Sequence, residues 1–324
     1  MKPFWKDGCL AGFFGLVVPG VMLGIAVSFS KSDGSVQLPE ETAETQVTEV
    51  QKTQKQIKVK STDGTVAEMD LDDYLTGVVL AEMPVSFELE AQKAQAVVAR
   101  TFTLKSEGSG KHTDAAVCTD STCCQAYISL EDYLAQGGSQ EGIDRIRSAV
   151  EATSGQVLTY EGELIEATYF SCSGGSTEDA VAVWGTDVPY LRATDSPGEE
   201  NAAHYTDTVT FTLEEFASAL AMDLKGDPES WLGQVTYTAG GGVDTMVIGG
   251  VTFKGTALRK ILGLRSTAFT MTAGEDSITV TTRGYGHRVG MSQYGADAMA
   301  VTGSAYDEIL AHYYQGTSLV NWVD

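Results

Sequence analysis

Basic residues are scarce in this chain: 21 Lys and Arg stand against 44 Asp and Glu, a formal net charge of −23. That balance excludes nucleic acid as a partner, because its phosphates would be repelled. It also fits poorly with docking on anionic lipid headgroups; the plain reading of the acidity is solubility. Internal repeats are absent, so no solenoid or propeller is expected. The glycine-rich stretch Gly284–Gly295 lacks the Lys-Ser/Thr ending of a phosphate loop. Between Ser30 and Gln56 there are no aromatics, and five acids (Asp33, Glu40, Glu41, Glu44, Glu49) fall between Lys31 and Lys52 with no base among them. Such a segment cannot bury enough to order itself, so residues 31–55 read as an acidic disordered linker that acts as a spacer.

One long apolar run is present. Lys2 and Lys6 precede Cys9 to Phe29, 21 uncharged residues. As a helix this run spans about 31 Å, one bilayer core. The positive flank stays in the cytoplasm, so residues 1–30 read as a cytoplasmic tip and membrane anchor, with everything beyond them outside. A cleavable signal is the rival reading, since Ala26-Val-Ser28 weakly resembles a cleavage site. Gly20-Val-Met-Leu-Gly24 is a GxxxG match of the kind that pairs membrane helices, though such matches are common by chance.

Residues 56–324 mix helical and strand signals, an α+β pattern of packed helices and short mixed strands. No boundary inside them is reliable, but an insertion of small strands over about 205–282 is a candidate subdomain. Ile57–Lys60 and Thr65–Met69 form an expected hairpin about an Asp-Gly turn. Helices are expected over Asp144–Ser154, Thr256–Leu262, Ser292–Thr302 and Tyr306–Tyr314, and strands over Val157–Tyr160, Ile165–Phe170 and Ser277–Thr282. Thr212 and Glu215 have capping-box spacing.

The densest chemical signal lies between Leu71 and Leu104. Glu82 sits between the apolar run Gly77–Ala81 and Met83-Pro84. Because Pro84 disfavours helix at the residue before it, a helix should end beside Glu82. A second helix, beginning near Phe87, is apolar around most of its circumference and therefore internal. Lys93 and Arg100 project from one face of it and need partners there. Asp72, Asp73, Glu88 and Glu90 fall at helix starts, where acids complement the dipole; Glu82, near a helix C-terminus, has no such explanation. The arrangement reads as a catalytic acid in an apolar pocket around Val78, Val79 and Leu80, with a structural ion pair as the plainer reading.

A second constellation is His112, Cys118, Cys123 and Cys124. One His and three Cys within 13 residues suit tetrahedral zinc. Disulfides are the rival, since Cys172 adds a fourth exported thiol. Cys123 is the weaker fourth ligand, because neighbouring side chains rarely aim at one ion.

Tyr74-Leu-Thr-Gly-Val-Val-Leu-Ala-Glu-Met-Pro84, Glu90-Ala-Gln-Lys-Ala-Gln-Ala96 and Ala99-Arg-Thr-Phe102 resemble the stage II sporulation protein D family. So do Ser173-Gly-Gly-Ser-Thr177 with Trp184 and Tyr190-Leu191, and Gly284–Gly295. The resemblance covers about residues 56 to 324. It implies a peptidoglycan lytic transglycosylase that acts on denuded glycan strands during forespore engulfment. Glu82 would be its catalytic acid and base. Lys93, Arg100, Ser173, Tyr190, His287, Arg288, Ser292, Gln293 and Tyr294 would bind substrate or support the site, although Ser292 reads more simply as an N-cap. Clostridial relatives are similar in their His/Cys loop, which implies zinc on His112, Cys118 and Cys124. The implied setting is the cell membrane, single-pass with the catalytic part extracytoplasmic on the mother-cell side. The implied partners are glycan strands, a sporulation amidase and a multi-spanning membrane protein, and no nucleic acid. Two rival functions remain at this point: a zinc-dependent peptidoglycan hydrolase, and a non-catalytic glycan-binding enhancer of an amidase.

Overall fold

The computed structural model describes residues 55–203 and 205–322. The expected anchor and all of the expected linker but Lys55 lie outside the described residues, as does His204. Among the described residues no helix is long and apolar enough to cross a membrane.

The chain enters through the expected hairpin, Gln56–Lys60 paired antiparallel with Val66–Asp70. The Asp70 carboxylate then accepts hydrogen bonds from the amides of Asp72 and Asp73 and so caps helix α1, Leu71–Glu82. Helix α2, Leu89–Ser109, ends at Gly110 in the left-handed conformation. Residues on all sides of α2 are buried, from Ala91 through Val97 and Val98 to Leu104, so it is the axis of the main core. After a short helix α3 (Leu130–Ala135) comes α4 (Gln140–Ala152), whose Ile143, Ile146 and Val150 form one apolar stripe against that core. The strand Gln156–Tyr160 runs between Glu163–Leu164 and Ser318–Asn321.

Past helix α5, Ala180–Trp184, the strand Thr206–Thr212 leads into α6, Leu213–Ala219, through the expected capping box of Thr212 and Glu215. Two three-stranded antiparallel sheets follow: Leu232–Tyr237, Val243–Ile248 and Val251–Lys254 in one; Thr206–Thr212, Ser277–Arg283 and Ala268–Ala273 in the other. With α7, Gly255–Ile261, they enclose a second hydrophobic cluster that includes Phe216, Ile248, Leu258 and Val280. The chain then returns to the main core with α8 (Gln293–Val301) and α9 (Tyr306–Tyr313). The architecture is α+β.

Three expectations need correction. The helix expected from Asp144 begins at Gln140, where the Ser139 hydroxyl caps it. The strand expected over Ile165–Phe170 shrinks to Tyr169–Phe170, because the amide of Thr168 bonds back to the carbonyl of Glu166 and bends the chain. The apolar pocket expected around Val78, Val79 and Leu80 does not form: these side chains belong to the main core, and other residues surround Glu82.

Candidate active site and metal cluster

Glu82 is the last residue of α1, and Pro84 follows the C-cap Met83. One turn and a half earlier, Gly77 lets the segment 125–128 lie directly on the helix. A Cβ at Gly77 would come within 2.5 Å of the Tyr127 ring and 2.6 Å of the Ile128 carbonyl, so a side chain there would push the segment away. The Ile128 amide donates to the Gly77 carbonyl (3.2 Å), and Tyr127 stacks on Tyr74 at 5.5 Å. This contact brings the Ala126 amide to Glu82, where it donates to Oε1 at 2.7 Å. The Tyr169 hydroxyl also reaches Oε1, at 3.1 Å, and stands 3.1 Å from Gln125 Oε1. Gln125 is fixed in turn by its own bond to the Thr103 hydroxyl (3.1 Å).

Both bonds fall on Oε1, which leaves Oε2 available to a ligand. Glu82 opens into a cavity of about 410 Å³ whose walls include Phe102, Gln125, Tyr169, Phe170, His287 and Gln293. Among the described residues that line it, Glu82 is the one carboxylate. Burial raises the Glu82 pKa above the usual carboxyl range, against the opposing pull of the Ala126 amide, Tyr169 and Gln293. The Gln293 side chain faces Glu82 and exerts the weakest of these three pulls; its buried amide nitrogen makes no well-formed hydrogen bond with a described residue, so it can donate to something bound in the cavity. Burial, and then the charge on Glu82, holds Tyr169 well above its ordinary pKa. Burial, with the nearby charge of Arg259, pushes His287 down to about 4. Near neutral pH the cavity therefore contains an un-ionised phenol and a neutral imidazole. Such a site can deliver a proton from a carboxyl group and bind polar, uncharged groups.

The His/Cys group adjoins this cavity. The parallel pairing of Val117–Cys118 with Val59–Lys60 fixes Cys118. The amides of Cys123 and Cys124 both bond to the Asp120 carbonyl, at 3.0 and 2.8 Å, and that tight turn aims the two neighbouring thiols the same way. His112 Nε2 lies 3.3 Å from Cys124 Sγ and 3.8 Å from Cys123 Sγ. All four donor atoms lie within 4.8 Å of one another, and the thiols are free. Tetrahedral zinc, with bonds of about 2.1 to 2.3 Å, needs donor separations of roughly 3.5 to 3.8 Å. The set therefore fits a metal ion, with Cys123 included. Cys124 also lines the Glu82 cavity, only two residues before the amide that holds Glu82.

A family model described as stage II sporulation protein matches residues 59–160. The stage II sporulation protein D of Bacillus subtilis (strain 168) is 41% identical over 266 residues, covering 80% of this chain and 77% of that protein. The chain belongs to the stage II sporulation protein D family. The protein of that name from Bacillus amyloliquefaciens is 40% identical over the same shares. The amidase enhancer of Bacillus subtilis (strain 168) is 30% identical over 76% of this chain and 40% of that protein.

In this stage II sporulation protein D family member, only some residues singled out from sequence share the cavity with Glu82: His287 and Gln293 line it, as does Cys124. Arg100 is fully buried elsewhere. Its guanidinium donates to the Thr153 and Val150 carbonyls and pairs with Asp72 at 3.1 Å, tying α1, α2 and α4 together. Lys93 pairs with Glu90 at 2.6 Å and lies over the Tyr306 ring. The Tyr190 hydroxyl accepts from the Glu166 amide, and Tyr294 packs edge-on against Phe87.

Ser173, Ser292 and Arg288 serve two buried carboxylates that the sequence did not single out. Glu199 accepts from the amides of Ser173 and Gly174, the hydroxyls of Ser173, Ser196 and Ser292, and the Cys172 thiol. Ser292 is also the N-cap of α8, as its sequence context implied. Gly295 makes room for this network, since a Cβ there would fall 2.1 Å from the Ser196 and Tyr313 hydroxyls. Arg288 pairs with Glu178 at 3.2 Å and donates to the carbonyls of Ser173, Ser176 and Gly240. These contacts hold it at φ 67°, a conformation costly for a side-chain-bearing residue.

Proposed function

We propose that this protein is a peptidoglycan lytic transglycosylase that cleaves the bond between N-acetylmuramic acid and N-acetylglucosamine in denuded strands. The observation that carries the reading is the single, desolvated carboxyl of Glu82 in a cavity with no second carboxylate among the described residues that line it. Hydrolytic glycosidases ordinarily need two carboxyl groups, one as acid and one to act as nucleophile or to activate water. One suffices where the sugar's own C6 hydroxyl attacks its anomeric carbon. Glu82 protonates the glycosidic oxygen through Oε2 as the C–O bond breaks, and the resulting carboxylate then takes the proton of the C6 hydroxyl as the 1,6-anhydro ring closes. Ala126 and Tyr169 hold Oε1 throughout, and Gln293 and His287 offer hydrogen bonds to sugar hydroxyls and N-acetyl groups.

His112, Cys118, Cys123 and Cys124 would hold zinc. A cysteine-rich set suits a closed structural site, and the chemistry the ion supplies there is a cross-link that fixes the loop ahead of Ala126. Lys93, Arg100, Ser173, Tyr190, Arg288, Ser292 and Tyr294 support the fold around the cavity rather than touch substrate. The setting follows the family: sporulation, with the chain anchored by residues 1–30 and working beside an amidase and a multi-spanning membrane protein during engulfment. The amidase enhancer relative favours one second reading, a glycan-binding protein that recruits a hydrolase.

Incubating denuded glycan with the full-length chain separates the two. The transglycosylase releases soluble fragments and Glu82→Gln does not. Binding without any release by the wild-type chain would leave the recruiting role.

A further inference from the structure

The sheet of Thr206–Thr212, Ala268–Ala273 and Ser277–Arg283 buries one face only. Phe211, Phe269, Ile278 and Val280 point into the second core. The strand register puts Thr206, Thr208, Thr210 and Thr212 on the opposite face, beside the alternate residues of Ser277–Arg283. Outward threonines are what strand propensity favours. Arg283 differs from them. It is exposed, it is the only charged residue on that face of the three strands, and although its carbonyl accepts from the Ser266 hydroxyl, its guanidinium makes no hydrogen bond or ion pair with any described residue. An uncompensated cation is unusual in a chain with a net charge of −23.

Arg283 and Tyr237, which is 59% exposed, line a separate cavity of about 300 Å³ with Thr270, Thr281 and Gly241. The buried Arg288–Glu178 pair fixes its wall: Arg288 donates to the Gly240 carbonyl at 2.7 Å, and Glu178 accepts from the Gly242 amide at 2.9 Å. Arg283 also lies two residues before Tyr285, which lines the Glu82 cavity. Gly284, at φ 78°, bends the chain between them, so one short segment contributes a wall residue to each cavity.

We propose that the Arg283–Tyr237 cavity is a second glycan subsite that binds a sugar bearing a free carboxylate. Arg283 takes the carboxylate, Tyr237 flanks the sugar ring, and Thr270 and Thr281 meet its hydroxyls. The inference rests on the reading that the Glu82 cavity takes a muramic-acid strand. Muramic acid carries a lactyl carboxylate that is charged once the stem peptide is removed and is an amide while the peptide remains. The subsite therefore favours strands whose lactyl group itself ends in a carboxylate.

The test measures binding to the full-length Glu82→Gln chain, which does not consume its ligand, by calorimetry. Denuded muramic-acid oligomers are compared with chito-oligosaccharides of equal length, which lack the carboxylate. The denuded oligomers bind about tenfold more tightly, as a charge-assisted hydrogen bond provides. Adding Arg283→Gln removes that preference, whereas Tyr237→Ala weakens both ligands. Since the Arg283 side chain has no partner among the described residues, its replacement leaves the unfolding temperature unchanged. An undiminished preference in the Arg283→Gln chain overturns the subsite. Carboxylate-dependent binding by a wild-type chain that never cleaves glycan would sink the transglycosylase and leave the subsite standing.

Discussion

Glu199 is the residue whose replacement should be most revealing about how the site is held. It is 1% exposed and makes no ion pair among the described residues, so hydrogen-bond donors are its direct support, with the Arg288 charge acting from farther off. Oε2 receives the Ser173 amide at 2.8 Å, the Gly174 amide at 2.9 Å and the Ser173 hydroxyl at 2.8 Å. Oε1 receives the hydroxyls of Ser196 and Ser292. Glu199→Ala strands two backbone amides that cannot rotate, each costing about 1 to 3 kcal/mol, and it leaves a cavity as well. Losing the charge relieves its own desolvation, so the expected total is about 3 to 6 kcal/mol. Glu199→Gln should cost only about 1 to 2 kcal/mol: its oxygen can serve the two amides, and the hydroxyls can turn to accept from its nitrogen. For a domain of this size, about 2 to 4 °C per kcal/mol gives a fall of roughly 6 to 24 °C for Ala and 2 to 8 °C for Gln. Ser292 caps the helix that begins with Gln293, so turnover should fall in the same order. Thermal unfolding and urea titration of both variants decide the matter. Equal losses, or none, would show that the network does not hold the loops.

Two further predictions concern the acid and the loop beside it. The Tyr169 hydroxyl donates to Glu82 and so favours the charged carboxylate; Tyr169→Phe should raise the already raised Glu82 pKa. The proton donor then survives to higher pH, and the alkaline limb of the kcat/KM profile should move upward, with about a tenfold or smaller loss of rate at the optimum. A limb that stays put or moves downward would detach Tyr169 from the acid. For the metal, the full-length chain should retain about one zinc per molecule and Cys124→Ser should lose it. Zinc removal should also speed hydrogen exchange at the Ala126 amide, and unchanged exchange would uncouple the cluster from Glu82.

The parts of the site legible from sequence are those set by local chemistry. Pro84 and the apolar run before it end α1 at Glu82, as expected. His112, Cys118, Cys123 and Cys124 lie close enough along the chain for their spacing alone to suggest one group. What was illegible depends on distant pairings. Nothing near Tyr169 announces that it meets a carboxylate 87 positions away, and Arg100 finds Asp72 because α1 and α2 pack side by side. Ser173, Ser292 and Arg288 had the polarity of ligand-binding residues; their partners, Glu199 for the two serines and Glu178 for Arg288, lie 26, 93 and 110 positions away along the chain. Helices α3 and α5, of six and five residues, are too short for a helical period to register.

The central claim is that a single carboxyl group cuts glycan without water, and the products report on it directly. Denuded strands treated with the full-length chain in ¹⁸O-labelled water should yield ends with the mass of 1,6-anhydro-N-acetylmuramic acid and no heavy oxygen, and Glu82→Gln should yield none. Reducing ends that carry ¹⁸O would contradict the account, because water would then be the nucleophile and a second catalytic group would be required.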